Sequence, residues 1–460
     1  MNDSGVKIEV HLIQNFAPSN LNRDDTGQPK SAYFGGVRRA RVSSQCAKRA
    51  AREWWRESGE ATVGSRTKRL QQMIGDKLAQ DKEFVERVPD EEDRKVGIRL
   101  FTEAYYAASD KKNTEKTSVL IFIGPDEVDV CARAIKETWD DWTKETARNG
   151  KPATETVEGI ASVIKKAREY DAKNVGKKTT SDSDMEDGAG KDESEETGDE
   201  EAFEQARPSK KDERPKLKPI ERIKERIKAA HVSADIALFG RMLAEQPGRN
   251  TDGACQVAHP ISTHKVDMEM DFYTAVDDLN PAEETGAGMI GVVGFNSACY
   301  YRYALVDRDQ LARNLARKTT RENGKWRDEL TEDDYRDADE VIEAFLKAMV
   351  YAIPTGKQNS FAAQNLPSFG LFVRRQGGVP MSLANAFARP VRPTKDDDDL
   401  VGLSVAALTR GWDALKNVYG DQGVKVTACF HLEQEGRLNG LSGSDKKGVD
   451  EAIDAVMKKQ

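Results

Sequence analysis

Over residues 7–16, apolar Ile8, Val10 and Leu12 alternate with Lys7, Glu9 and His11, a period of two that predicts a half-buried strand. Ser43 and Ser44 precede a run of good helix formers, so one of them is a natural N-cap and a helix is expected from about Gln45. The helical period puts Ala47, Ala50, Ala51 and Trp54 on one stripe and Gln45, Lys48, Arg49, Arg52 and Arg56 opposite it. Further on, the pattern predicts a charged helical stretch over 65–86, an apolar strand over 118–123, and helices over 126–148 and 154–170. A helical period over 220–245 breaks near His231, leaving an apolar patch of Leu238, Phe239, Met242 and Leu243. Residues 298–305 alternate as a central strand. Helices are then expected over 309–317, 331–351, 408–419 and 445–459, with strands over 368–374 and 424–432.

Strands and helices in this irregular order, separated by large insertions, suit an α+β sheet with helices on one face. The order is compatible with a split βαββαβ, ferredoxin-like arrangement of the kind RNA-recognition modules use. The paired aromatics of an ordinary RNA-recognition motif are absent, and Tyr300, Tyr301 and Tyr303 read as core or sheet residues. Between 262 and 295, Val266, Met268, Met270 and Phe272 alternate with Asp267, Glu269 and Asp271, and residues 289–295 return after a Gly, Pro and acid-rich turn. This is a β-hairpin arm. Its Met-rich face is expected in the core, the alternative being an adaptable surface for a partner or an unstacked base.

Charge changes this picture. The net charge of −8 conceals a segment, 181–204, with twelve acidic residues and one lysine; without it the chain carries +3. That segment has almost no apolar content and is expected to be a disordered acidic insertion, spanning 171–218 with its flanks. Positive charge concentrates instead at 38–56, with seven Lys/Arg against Glu53 alone, preceded by Arg23 and Lys30 in a loop. Lys48, Arg52 and Arg56 form an i, i+4 ladder without matched glutamates, which costs repulsion and points to an external anion. The Gly35-Gly36 pair lets backbone approach a ligand, and Ser43, Ser44 and the first helical N–H groups suit a phosphate. A solvated basic face is the plainer alternative.

Other chemistries are weakly represented. The five cysteines, Cys46, Cys131, Cys255, Cys299 and Cys429, are odd in number, scattered and never CxxC, so neither a disulfide framework nor a zinc site is indicated. Neither an apolar run long enough to span a bilayer nor a signal sequence is visible, so a cytoplasmic protein without membrane contact is expected. Asp24 and Asp25 are adjacent carboxylates that could hold Mg²⁺ and activate water in a metal-dependent endoribonuclease. Ion pairing with neighbouring arginines, ordering the loop, is the simpler role. No histidine pair has metal-site spacing, and no P-loop, GxSxG elbow or Cys/His dyad occurs. No catalysis, cofactor or metal is expected. A monomeric RNA chaperone is a third reading, separable from a polymer by stoichiometry.

Several blocks together resemble one family. SNLNRDDTGQPKSAYFGGVRRARVSSQCAKRAAR at 19–52, HVSADIALFGRM at 231–242, ACQVAHPISTH at 254–264, FYTAVDDL at 272–279, FNSACYYRYA at 295–304 and IPTGKQNSFAAQN at 353–365 look like the CasC family. Its members are the repeated backbone subunits of the Cascade complex in type I-E CRISPR systems. The resemblance implies an RNA-recognition-like palm, a helical fingers domain and a β-hairpin thumb. The palm would comprise 1–56, 219–261 and 296–460 with the C-terminal helices. The fingers would span 57–170, with a palm strand returning near 118–123, and the thumb 262–295. Several copies would polymerise along one CRISPR RNA in antiviral defence, joined by large, small, RNA-end-capping and RNA-processing subunits, and meet target DNA through the guide. The implied RNA contacts are Arg23, Lys30, Arg38, Arg39, Arg41, Ser43, Gln45, Lys48, Arg49 and Arg52, then Lys357, Gln358 and Asn359. Met242 would be the wedge beside a displaced base. Contacts to phosphate suit a holder of many different guides, because they ignore base identity. The acidic insertion departs from the family pattern.

Overall fold

A computed structural model describes residues 5–147, 227, 230–243, 250–276, 287–318, 321–322, 325–326, 329–432, 435–441 and 443–458. The expected helix over 154–170 and the acidic insertion over 171–218 lie outside these residues. The chain divides into two compact units: Met1–Gly64 with His231–Met242 and Asn250–Gln460, and Ser65–Ala230 with Leu243–Arg249.

The first unit is α+β. It starts with β1 (Val6–Ser19), the hairpin strands β2 (Ser31–Phe34) and β3 (Val37–Ala40), and helix α1 (Ser44–Ser58). The second unit supplies β4 (Ser65–Thr67), α2 (Leu70–Ala79), α3 (Lys82–Arg87), α4 (Glu91–Tyr105), β5 (Ile121–Ile123) and α5 (Pro125–Ala147). The first unit resumes with α6 (Ala234–Phe239), β6 (Cys255–Val257), β7 (Ile261–Ser262), β8 (Glu269–Val276), β9 (Ala287–Asp307) and α7 (Arg308–Leu315). After a small hairpin of β10 (Arg321–Glu322) and β11 (Lys325–Trp326) come α8 (Glu332–Tyr351), α9 (Gln358–Phe361), β12 (Phe369–Gln376), α10 (Leu400–Tyr419), β13 (Val424–His431) and α11 (Val449–Met457). None of the described helices is long and apolar enough to cross a membrane.

The central sheet runs β13-β12-β1-β9-β6, with every neighbouring pair antiparallel. In chain order, β1, β6, β9 and β12 are four strands placed 4-1-3-2. α1 connects the first to the second and α8 the third to the fourth, which is the split βαββαβ topology, with β13 added at the edge. α1 and α8 cover one face: the Trp55 indole N–H donates to Ala344 O at 3.1 Å, and Trp54 stacks on Tyr351 at 6.2 Å. The fully buried member of this pair is Trp55, not the Trp54 that the helical wheel favours.

Helices do not keep to one face. On the other side, Ile13, Tyr301, Leu371 and Val373 meet Val405, Leu408 and Trp412 of α10. β1 is therefore buried on both faces rather than half-buried, and its alternating polar residues, Glu9 and His11, are at 0% exposure. Partners compensate for their burial. Arg375 grips Glu9 with Nε and Nη2 at 3.2 and 3.3 Å, and the Met381 N–H donates to the same carboxylate at 3.0 Å. Burial pushes the Glu9 carboxyl up, but His11 and Arg375 outweigh it and hold the group below the ordinary carboxylate range.

The second unit is mainly helical around a core that includes Leu70, Ile74, Phe84, Phe101, Ile121 and Ile135. The expected helix over 65–86 opens instead with β4. It is also split before α3, whose first turn is capped by the Asp81 carboxylate accepting from Phe84 N. The apolar run near 118–123 does not return to the palm sheet. Its strand β5 pairs with β4 in a separate two-stranded sheet.

Candidate nucleic-acid interface

The loop after β1 is held by its own polar side chains. Asn20 Nδ2 donates to Gly27 O at 3.0 Å and to Gly294 O at 2.9 Å, tying the loop to β9. A Cβ at 294 would overlap Gln28 Oε1, so any larger residue there requires the Gln28 side chain to move. Asp24 Oδ1 accepts from Thr26 N, Thr26 Oγ1 and Gln28 N at 2.9, 2.7 and 3.0 Å. The Thr26 hydroxyl leads the interactions that lower the Asp24 pKa. Asp24 thus orders the loop through hydrogen bonds rather than through the ion pairs expected of it. Lys30 N donates to Asn22 O, Arg41 N to Lys30 O and Ser43 N to Asn22 Oδ1. These bonds bring the segments carrying Arg23, Lys30, Arg41 and Ser43 together.

The β2–β3 hairpin separates two adjacent arginines. Gly35 and Gly36 have φ of +60° and +79°, the sign a tight two-residue hairpin turn requires at both central positions. Alternation then sends Arg38 outward, where its Nε donates to Ser31 Oγ at 3.1 Å. It sends Arg39 inward, at 0% exposure, donating to the carbonyls of Phe34, Ser262 and Phe387 at 3.2, 3.0 and 2.7 Å. Arg39 is a strut and not a surface phosphate contact. The exposed aromatic beside Arg38, Tyr33, is missed by a reading that counts charge alone.

Helix α1 is capped by Ser43, whose side chain accepts from Cys46 N at 3.2 Å, and its first turn carries no acidic residue. Its N-terminus thus remains suited to an anion. Gln45 is exposed, and the Arg49 side chain is 76% exposed. The basic ladder is not unmatched: Glu53 lies 3.8 Å from Arg49 and 3.0 Å from Arg56. Arg52 is turned inward, pairing with buried Asp235 at 2.8 Å, while its guanidinium lies over the Phe239 ring. Lys48 is half-buried, its ammonium 5.1 Å from the centre of that ring. Arg41 contacts His259 Nδ1 at 2.7 Å; desolvation first and Arg41 second lower the His259 pKa.

Met242 follows α6 and is 83% exposed. In the 353–365 block, Lys357 is half-buried with φ +53° and Asn359 is exposed. Gln358 is committed locally: its Nε2 donates to Pro354 O and Ala363 O at 3.0 and 3.1 Å, which makes it a loop brace rather than an RNA contact.

β8 and the first part of β9 form the hairpin arm, whose turn over 277–286 lies outside the described residues. Met270 and Phe272 share one face with Ile290 and Val292, and all four are exposed; of the stripe expected in the core, Val266 is buried and Met268 half-buried, while Met270 and Phe272 are not in the core. At the root, His264 Nδ1 bonds to Lys265 O at 2.8 Å, and its Nε2 accepts from Cys299 N at 3.2 Å. This pairing requires a neutral ring. Burial, and secondarily Arg39, lower the His264 pKa from 6.5, despite the Lys265 carbonyl. A lowered folded pKa gives stability that is present above the unfolded value and lost as pH falls through the folded one. Urea denaturation is expected to show the wild type losing stability as pH falls from above 6.5 to below it, and His264→Gln losing measurably less.

A split βαββαβ sheet, a basic loop and hairpin beside a capped helix, and an apolar β-arm define an α+β protein built like an RNA-recognition module with insertions. A sequence model of the CT1975-like protein family matches residues 8–458, and the chain belongs to that family. It is similar to a chain of a solved "CRISPR RNA-guided surveillance complex, pre-nicking", at 25% identity and TM-score 0.66, covering 98% of this chain and 100% of that one. A chain of a second "CRISPR RNA-guided surveillance complex" shares the fold at 22% identity and TM-score 0.60, covering 98% and 99%. No curated protein sequence matches the chain.

Proposed function

We propose that this chain is a non-catalytic backbone subunit of a CRISPR RNA-guided surveillance complex, of the type I-E CasC kind. Copies of it grip the sugar-phosphate backbone of guide RNA without reading sequence. The observation that carries this reading is one continuous segment in which hydrogen bonds lace a loop, a hairpin and a helix start. That segment turns Arg23, Arg38, Gln45 and Arg49 outward. Its likeness to a surveillance-complex chain over 98% of its length supports the same reading. Lys30, Arg41, Lys48, Lys357 and Asn359 extend the grip. The exposed arm and Met242 provide apolar surface against displaced bases. Pairing between guide and target then carries sequence specificity.

The test is purification without added nucleic acid. The expected product is a multimer holding RNA of one discrete length, as a channel counting backbone units would select. Monomers with heterogeneous RNA would overturn the proposal. The non-catalytic part is supported by Asp24 Oδ1 already accepting three hydrogen bonds. Guide and target RNA incubated with Mg²⁺ are expected to remain intact with the wild type and with Asp24→Ala alike. Cleavage by the wild type that disappears in Asp24→Ala would replace this reading with a nuclease.

A further inference from the structure

We infer that Tyr33 is a stacking platform for an unpaired nucleobase of the bound strand, with Arg38 beside it on the neighbouring phosphate. The inference rests on the RNA-binding reading and adds a base contact to a grip otherwise made of cations. Tyr33 is 82% exposed, whereas the next residue, Phe34, is half-buried with Arg39 across its ring at 5.8 Å. A large aromatic left in water does nothing for the core. Its place on the hairpin supplies the reason.

Tyr33 and Arg38 are directly opposed in the β2–β3 ladder, so their side chains leave the same face side by side. Ser31, two residues before Tyr33 on that face, accepts from Arg38 Nε and steadies the guanidinium. The hairpin is rigidly mounted. Arg39 fastens it by two bonds to carbonyls outside the hairpin, those of Ser262 and Phe387, Ala40 N donates to Ser262 Oγ at 3.1 Å, and Gly35 sits so close to Ala388 that a Cβ would overlap its carbonyl. An aromatic on a rigid mount loses little conformational entropy when a ring settles on it. A π face beside a cation matches the repeating chemistry of a single strand, base then phosphate. It accepts any base, since every base has a π face. The platform therefore keeps the grip independent of sequence.

The full-length chain binding a uniform single-stranded RNA, followed by fluorescence anisotropy across a salt series, tests this. Tyr33→Phe keeps the ring and is expected to bind as the wild type does. Tyr33→Leu is expected to weaken binding on the order of tenfold with an unchanged salt slope. Arg38→Gln instead lowers the slope by about 0.7, the value for one single-strand phosphate. On an abasic ribose-phosphate oligomer, wild type and Tyr33→Leu are expected to bind alike, because the base that distinguishes them is gone. If Tyr33→Leu holds intact RNA as tightly as the wild type, the platform is overturned while the RNA reading stands. If the wild type binds neither oligomer, both fall. If Tyr33→Leu keeps RNA affinity but no longer self-associates, the ring belongs to a contact between copies, and the base platform is overturned.

Discussion

Replacing Arg23, Arg38 and Arg49 together by glutamate is expected to abolish RNA retention while leaving the fold intact. All three are exposed, so their removal opens no cavity and strands no buried partner. The exchange moves the local charge by six units in the segment that concentrates positive charge. Three lost phosphate contacts lower the slope of log affinity against log salt by about 2. With repulsion added, affinity falls on the order of a thousandfold near 0.1 M salt. Stability should stay within about 0.5 kcal/mol, the usual range for surface substitutions, since the Arg49–Glu53 contact is an exposed helical pair. Absorbance ratio after size exclusion reports the RNA, and a urea titration reports the fold. A triple variant that retained full-length RNA at normal stoichiometry would remove the proposed grip.

Local periodicity made much of this protein legible. The strand at the chain's start, the Ser43 cap and α8 all follow from residues within a few positions of one another. Thr331 and Asp334 of α8 even close a reciprocal capping box. Distant pairing was not legible. Glu9 looks like the outer side of a half-buried strand until Arg375, 366 residues on, is placed against it. The apolar run ending in β5 has the composition of a sheet strand but no address, and it joins β4 in the other unit. At the candidate interface, summing charge over 38–56 treated neighbouring arginines as equivalent. Register divides Arg38 from Arg39, and the Gly35-Gly36 turn was the available sign of it. Nothing near Arg52 in sequence announces Asp235. The same summing by charge passes over Tyr33, whose meaning depends on standing opposite Arg38.

Arg52 yields the second large effect, on stability. Its Nε meets Asp235 Oδ2 at 2.8 Å, with side-chain exposures of 10% and 0%. Asp235 Oδ1 accepts from Gly64 N at 2.9 Å and Ser233 Oγ at 2.7 Å, so this carboxylate also anchors the end of the segment following α1. Arg52→Glu would oppose two carboxylates in a desolvated site and leave Asp235 without its cation. Breaking a buried pair costs about 3–5 kcal/mol even without the added repulsion. The expected result is a large fall in the urea midpoint, whereas Arg49→Glu, one helical turn away and exposed, leaves the midpoint unchanged. Any loss of RNA by Arg52→Glu then follows from unfolding and says nothing about phosphate. Asp235→Asn separates the cases further. It keeps the side chain's shape and its acceptor for Gly64 N, removes the charge, and is expected to destabilise the fold while leaving the salt slope of RNA binding unchanged in the folded fraction. If Arg52→Glu instead kept its unfolding free energy within about 1 kcal/mol and still lost RNA, Arg52 would belong to the grip, and the pair with Asp235 would have to open when RNA binds.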